Sequence, residues 1–136
     1  MEDLKIDVKI LLSGLWVAAM FCYLYADVLA YMAPGHMAEI LTGEIAGIPI
    51  DDLFLVAGAL FMVPPILMIF LSLALKSKSN RLINIIVGIV YTLVGVGMVF
   101  QASNAGYVVY GIVESALTAL IVWYAWKWPK QESDSA

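Results

Sequence analysis

Four long apolar stretches alternate with short polar segments along this chain. They cover residues 10–32, 53–75, 82–100 and 107–126. Each has about 19–23 residues, and a helix rises about 1.5 Å per residue, so each can cross a hydrocarbon core of about 30 Å. The polar segments at 76–81 and 101–106 are short, so the helices that flank them should form antiparallel hairpins. The pattern predicts an all-α integral membrane protein, a four-helix up-down bundle with residues 1–136 in one domain.

The longest connection, residues 34–50, lies between the first two apolar stretches. Pro34 and Gly35 end the first helix. The apolar residues that follow are spaced for a short amphipathic helix on the outer membrane surface: Met37, Ile40, Leu41 and Ile45. Asp51 or Asp52 is expected to cap the second span by accepting hydrogen bonds from its first N–H groups.

Two spans carry small or polar residues at helical spacing, a pattern that lets helices pack closely in lipid. In the first span these residues are Gly14, Ala18, Cys22, Ala26 and Ala30. In the third they are Asn84, Gly88, Thr92 and Gly95. The second span contains Pro64 and Pro65 near its middle, which predicts a kink. Neighbouring helices must then cover the carbonyls that the prolines leave without a donor.

The distribution of charge orients the bundle. The chain is 63% apolar with a mean hydropathy of +0.94, values that exclude an ordinary soluble domain. If the spans alternate in direction, all seven basic residues fall on one side with both termini. They are Lys5, Lys9, Lys76, Lys78, Arg81, Lys127 and Lys130. The positive-inside rule makes that side cytoplasmic, which predicts a multi-pass protein of the cell (plasma) membrane. The basic residues are explained by their position at the membrane surface, so they do not predict a nucleic-acid partner.

Two acids, Asp27 and Glu114, lie within the apolar spans. Ionisable groups in hydrocarbon are costly and suggest function. Each acid follows a tyrosine by one helical turn, so the Tyr23 phenol can donate to Asp27 and the Tyr110 phenol to Glu114. Thr118 lies one turn beyond Glu114. Counted from Pro34 and Gly106, both acids are about 10–12 Å below the outer ends of their helices. These five residues form the predicted site for ligands or protons.

The spans contain no Lys, Arg or His to neutralise the two acids. The acids are therefore expected to share a proton, hold a cation, or bind an amine ligand beside aromatic faces. The alternative interpretation is that both are protonated and only hold helix packing. A single histidine, His36, and a single cysteine, Cys22, give no reason to expect a metal site, a haem or another cofactor. No catalytic residues are assigned.

Three functional hypotheses follow from these residues. In the first, an outward-facing site at Asp27 and Glu114 binds a small cationic or lipophilic ligand or couples protons to transport. Four spans are few for a transporter, so this hypothesis expects a homodimer or a partner membrane protein. In the second, the chain is an accessory or structural subunit whose small-residue faces bind partner helices. An intramembrane enzyme ranks last, because the sequence offers no nucleophile–base pair.

Several motifs resemble a known family. They are Trp16, the run at 23–29, Asn80–Arg81, and the aromatic ending at 121–128. With them the chain resembles, over nearly its whole length, a family of small uncharacterised four-span membrane proteins of bacteria and archaea. Its architecture is more loosely similar to DoxX-like proteins. The resemblance supports four spans and the importance of Asp27 and Glu114, but it implies no reaction. The family's acid before the second-span proline is replaced here by Val63, which weakens any mechanism that needs a third carboxylate.

Overall fold

The computed structural model describes residues 6–45, 47–101 and 105–128. Its helices are α1 (Val8–Met32), α2 (His36–Leu41), α3 (Asp52–Ala74), α4 (Ser77–Phe100) and α5 (Ala105–Trp126). Two short antiparallel strands, β1 (Glu44–Ile45) and β2 (Ile48–Pro49), follow α2. Helices α1, α3, α4 and α5 are long and apolar enough to cross a membrane. The predicted all-α four-span fold is confirmed. Two of the seven basic residues, Lys5 and Lys130, lie outside the described residues.

Polar residues set the start of three long helices. The Asp7 carboxylate accepts from the Lys9 backbone N–H at 2.8 Å and caps α1. The Asp51 carboxylate accepts from the Phe54 backbone N–H at 2.9 Å, so Asp51 rather than Asp52 caps α3. Helix α4 begins at Ser77, five residues before the apolar stretch at 82–100. Its first turns are therefore formed by polar residues, which the apolar pattern does not include.

The segment between α1 and α3 forms a short helix followed by a hairpin. Gly35 adopts φ +82°, a left-handed conformation that suits glycine, and α2 begins at the next residue. Met37, Ile40 and Leu41 lie in α2, which confirms a short helix there. Ile45 was wrongly assigned to the same helical face. It pairs with Ile48 in the hairpin instead.

Helix α5 packs against both α4 and α1, and α1 also packs against α3, while α3 and α4 touch less. Glycines allow α4 and α5 to approach closely. A Cβ on Gly88 would lie 2.7 Å from Val122 Cγ2, and one on Gly111 would lie 2.8 Å from Val99 Cγ2. The predicted small-residue face of the third span is thus an α5 contact.

The predicted four-residue ridge of the first span is only partly a contact face, because Cys22 and Ala26 are buried but Gly14 is not. Gly14 has no atom within 4 Å of its Cβ position, and Ala18 is only half-buried. Besides Ser13 and Cys22, the buried positions of α1 repeat with steps of four and three: Leu12, Trp16, Ala19, Tyr23 and Ala26. That heptad spacing is typical of helices that cross at a small angle, and it allows large side chains to fill the seam.

A buried polar cluster joins three helices near the end of the bundle that carries the basic residues. Trp16 Nε1 donates to Asn84 Oδ1 at 2.8 Å, and Asn84 Nδ2 donates to Asn80 Oδ1 at 2.6 Å. Asn80 Nδ2 donates to the Ser72 carbonyl at 2.7 Å, and the Ser72 hydroxyl donates to Asn84 Oδ1 at 3.3 Å. All four residues are fully buried. Every polar side-chain atom of this cluster therefore has a partner, as a stable interior requires.

Helix α3 continues through both prolines. Pro65 has no N–H, so the carbonyl four residues earlier, that of Phe61, receives no helical hydrogen bond. The Tyr91 hydroxyl of α4 donates to this carbonyl. The centres of the Tyr91 and Phe61 rings lie 5.3 Å apart. A neighbouring helix thus covers a carbonyl freed by proline, as predicted.

Candidate functional site

Glu114 of α5 is fully buried at the contact with α4. A Cβ on Gly95 of α4 would lie 3.0 Å from Glu114 Oε1 and 2.5 Å from Ser115 Oγ. The carboxyl group therefore packs directly against the α4 backbone, in space that exists because residue 95 has no side chain. The sequence placed Gly95 on a packing face but did not connect it with Glu114.

Neither carboxyl oxygen of Glu114 has a hydrogen-bond partner within the described part of the chain. The hydroxyl of Tyr23 on α1 is also buried and without a partner there. The phenol and the carboxyl are neighbours across the α1–α5 contact, although they do not reach hydrogen-bond geometry. Leaving a buried polar group unpaired costs about 1–3 kcal/mol, and more if the group is charged.

The predicted pairing of each tyrosine with the acid one turn later is wrong. Since the Tyr23 hydroxyl has no hydrogen-bond partner, it does not donate to Asp27, and Glu114 receives no hydrogen bond from Tyr110. Tyr23 belongs to the buried face of α1 and faces α5, whereas Asp27 is exposed. The Tyr110 ring stacks on Tyr25 at 6.3 Å. Packing between helices, which i,i+4 spacing does not report, decides where these side chains point.

The two acids lie at different distances from the ends of their own helices. Helix α1 ends at Met32 and α5 begins at Ala105, so Asp27 is about 8 Å and Glu114 about 14 Å below those helix ends. Measured from the observed helix ends, these distances differ from the about 10–12 Å that the sequence gives for each acid. Tyr23 is level with Glu114, also about 14 Å below its helix end.

Asp27 and Glu114 are nevertheless close enough to interact electrostatically. Tyr107, in the first turn of α5, interacts electrostatically with both acids. Tyr107 therefore lies near both the exposed Asp27 and the fully buried Glu114. Sequence reasoning missed Tyr107, whose position seven residues before Glu114 puts both on one helix face.

Thr118 supports the helix contact and does not bind the Glu114 carboxyl group. Its hydroxyl donates to the Glu114 backbone carbonyl at 3.1 Å and lies 2.9 Å from Thr92 Oγ1 on α4. Of the five predicted site residues, the structure brings together Glu114 and Tyr23, leaves Asp27 at the rim, and directs Tyr110 and Thr118 to other contacts.

Aromatic rings enclose the Tyr23 side of the site. The Tyr91 ring of α4 meets Tyr23 edge-on at 6.2 Å and Trp16 edge-on at 6.4 Å. These rings exclude water from the phenol. A groove of about 200 Å³ lies between α4 and α5 on the surface of the bundle, and Glu114 does not line it. Its lining residues are Ile89, Thr92, Leu93, Ala119 and Val122.

Residues 3–135 match the model of a family of unknown function, DUF6326, so the chain belongs to that family. This confirms the resemblance to an uncharacterised family, while the looser similarity to DoxX-like proteins stays a prediction. No curated protein matches the chain, and no solved structure does. The family carries no established activity, so function must be argued from the site.

Proposed function

We propose that this member of the DUF6326 family binds a proton or a small inorganic cation at Glu114 and couples it to transport across the plasma membrane. One observation carries the proposal: both Glu114 carboxyl oxygens and the neighbouring Tyr23 hydroxyl are buried without hydrogen-bond partners. Three unpaired polar atoms at one point of a membrane bundle are expensive, and a bound proton or cation would offset that cost.

The described residues supply no neutralising charge inside the bundle. Its described cations lie at or beyond the helix ends, as Lys76, Arg81 and Lys127 illustrate. An ionised carboxylate in hydrocarbon costs at least about 2.5–3.5 kcal/mol. A proton removes the charge, and a dehydrated cation balances it. A hydrogen bond from the Tyr23 hydroxyl to the carboxylate would stabilise the ionised state while the ligand exchanges.

The packing favours a ligand of this size over an organic amine. Glu114 has no exposed surface, and the α4 backbone at Gly95 occupies the space beside its carboxyl. A proton needs no additional cavity, and a dehydrated monatomic cation needs less space than an organic amine. Entry from the rim through Asp27 and Tyr107 agrees with the electrostatic contacts between these groups. A homodimer or a partner membrane protein would complete the pathway, because four spans are few for a transporter.

Infrared difference spectroscopy of the protein in lipid bilayers tests the proposal. Glu114→Gln keeps the size of the side chain and removes its ionisation. We expect the wild-type protein to show a carboxyl C=O band that responds to pH or to added Na⁺ or K⁺, and Glu114→Gln to lack it. Glu44→Gln, in the exposed hairpin, is the matched control and should keep the band.

Transport is tested in proteoliposomes that contain a pH-sensitive dye or a cation indicator. The proposal expects an imposed gradient to drive flux in the wild-type protein and Glu44→Gln, and a large loss of that flux in Glu114→Gln. If Glu114→Gln neither changes the infrared response nor alters flux, the proposal is wrong. A carboxyl that stays protonated under every condition would favour the accessory-subunit alternative, in which the acid only holds packing.

A further inference from the structure

Arg81 joins the start of α4 to the end of α5. Its Nε donates to the Ala125 carbonyl at 3.0 Å and its Nη2 to the Trp126 carbonyl at 3.1 Å. These are among the last carbonyls of α5, which have no donor within their own helix. The guanidinium also lies 5.8 Å from the centre of the Trp126 ring. Three contacts therefore hold Arg81 in one place at the surface of the bundle.

Within the described residues, no carboxylate balances the positive charge of Arg81, and backbone carbonyls carry only partial charges. Lys127 is the next residue after α5, and its ammonium group lies 5.2 Å from the centre of the Trp123 ring. Lys78, three residues before Arg81, adds an exposed cation on the same side of α4.

Tryptophans place these cations at the level of the lipid headgroups. Trp126 is 66% exposed and Trp123 is 49% exposed, so both lie on the side of α5 that faces away from the bundle. Exposed tryptophans at a span end are typical of the membrane interface, where one part of the ring contacts acyl chains. Arg81 and Lys127 thus face the zone that phospholipid phosphates occupy.

We propose that Arg81, Lys127 and the two tryptophans form a binding site for the phosphate of an anionic phospholipid. The Arg81 guanidinium has N–H groups beyond the two that bind α5, and its planar fork suits phosphate oxygens. Lys127 supplies a second charge, and the tryptophan rings contact the acyl chains. The site lies at the end of α5, about 18 Å along the helix from Glu114, and it shares no residue with the Glu114 site, so it does not depend on the function proposed above.

Lipid titration of the purified full chain tests this site. The probes are phosphatidylglycerol, phosphatidylcholine and inorganic phosphate, and binding is followed by native mass spectrometry and by the shift in melting temperature. We expect phosphatidylglycerol to bind and stabilise the wild-type protein more than phosphatidylcholine does. Each of Arg81→Gln and Lys127→Gln should weaken phosphatidylglycerol binding about fivefold.

Matched variants separate a specific site from general surface charge. Lys9→Gln removes one cation at the same end of the bundle but on α1, and it should change phosphatidylglycerol binding less than twofold. Lys127→Gln leaves both Arg81 hydrogen bonds intact, so it tests the site even if Arg81→Gln does not fold. An equal loss in Lys9→Gln, or equal binding of the two lipids, would overturn the proposal. Stabilisation by inorganic phosphate that matches phosphatidylglycerol would overturn the lipid assignment.

Discussion

Replacing Gly95 with alanine tests the contact on which the candidate site depends. The new Cβ would lie 2.5 Å from Ser115 Oγ, 3.0 Å from Glu114 Oε1 and 3.5 Å from Ser115 Cα. Ser115 could rotate away only by giving up its 2.7 Å hydrogen bond to the Gly111 carbonyl. The Glu114 carboxyl would also have to move. We therefore expect α4 and α5 to separate locally.

The magnitude follows from two opposing effects. Adding a methyl group to a well-packed contact costs about 1–3 kcal/mol. Alanine also favours a helix over glycine by up to about 1 kcal/mol. Gly97 lies on the same helix and has no atom within 4 Å of its Cβ position, so Gly97→Ala reports the helix preference alone. The difference between the two variants should be about 1–3 kcal/mol, with Gly95→Ala the less stable.

Unfolding of the purified protein in mixed micelles, at increasing mole fraction of sodium dodecyl sulfate, measures this difference. Far-ultraviolet circular dichroism reports loss of helix, and tryptophan fluorescence reports loss of packing around the buried Trp16. If Gly95→Ala is as stable as Gly97→Ala, α4 does not press on the Glu114 carboxyl. The argument that limits the ligand to a proton or a small inorganic cation would then fail as well.

Three further predictions use the same assay. Tyr91→Phe should cost about 1–3 kcal/mol, because the Phe61 carbonyl loses its donor, whereas Tyr25→Phe, on an exposed residue, should cost less than about 0.5 kcal/mol. The variants Asn84→Ala and Trp16→Phe should be non-additive by about 0.5–3 kcal/mol in a double-mutant cycle, and additive losses would contradict their hydrogen bond. Glu114→Gln should gain stability over the wild type as the pH rises, because only the wild type acquires a buried charge, and a pH-independent difference would contradict this.

Much of the fold could be predicted from hydropathy and from capping residues. The ends of α3 and α5 fall within one or two residues of the apolar stretches at 53–75 and 107–126, because their boundaries coincide with a change in polarity. Helix α4 starts earlier than predicted because its first turns bury Ser77 and Asn80 in contacts with other parts of the bundle. Hydropathy treats such buried polar residues as loop, since it does not contain the partners that satisfy them.

The sequence singles out the two acids of the candidate site but does not show which residues surround them. Asp27 and Glu114 stood out because ionisable residues are rare within spans. The spacing of Tyr23 and Asp27 shows that they are neighbours on α1, but the seam of α1 runs through Tyr23 and Ala26 and leaves Asp27 exposed. Which face of a helix becomes the seam depends on the opposing surfaces of α3 and α5. Those surfaces are formed by other parts of the chain, so the spacing of residues within α1 does not reveal them.

The two polar clusters of this bundle differ in a way that bears on function. Around Asn84, helices α1, α3 and α4 satisfy the side-chain polar atoms of four buried residues with hydrogen bonds. At this cluster, the fold therefore buries polar side chains and still provides a hydrogen-bond partner for each of their polar atoms. About Glu114 and Tyr23 it leaves three polar atoms unpaired within the described residues. An acid kept only for packing would be expected to have partners like those of Asn84, because a partly satisfied cluster is less stable than an apolar core. The contrast favours an acid that exchanges a proton or a cation over one that only holds the helices together.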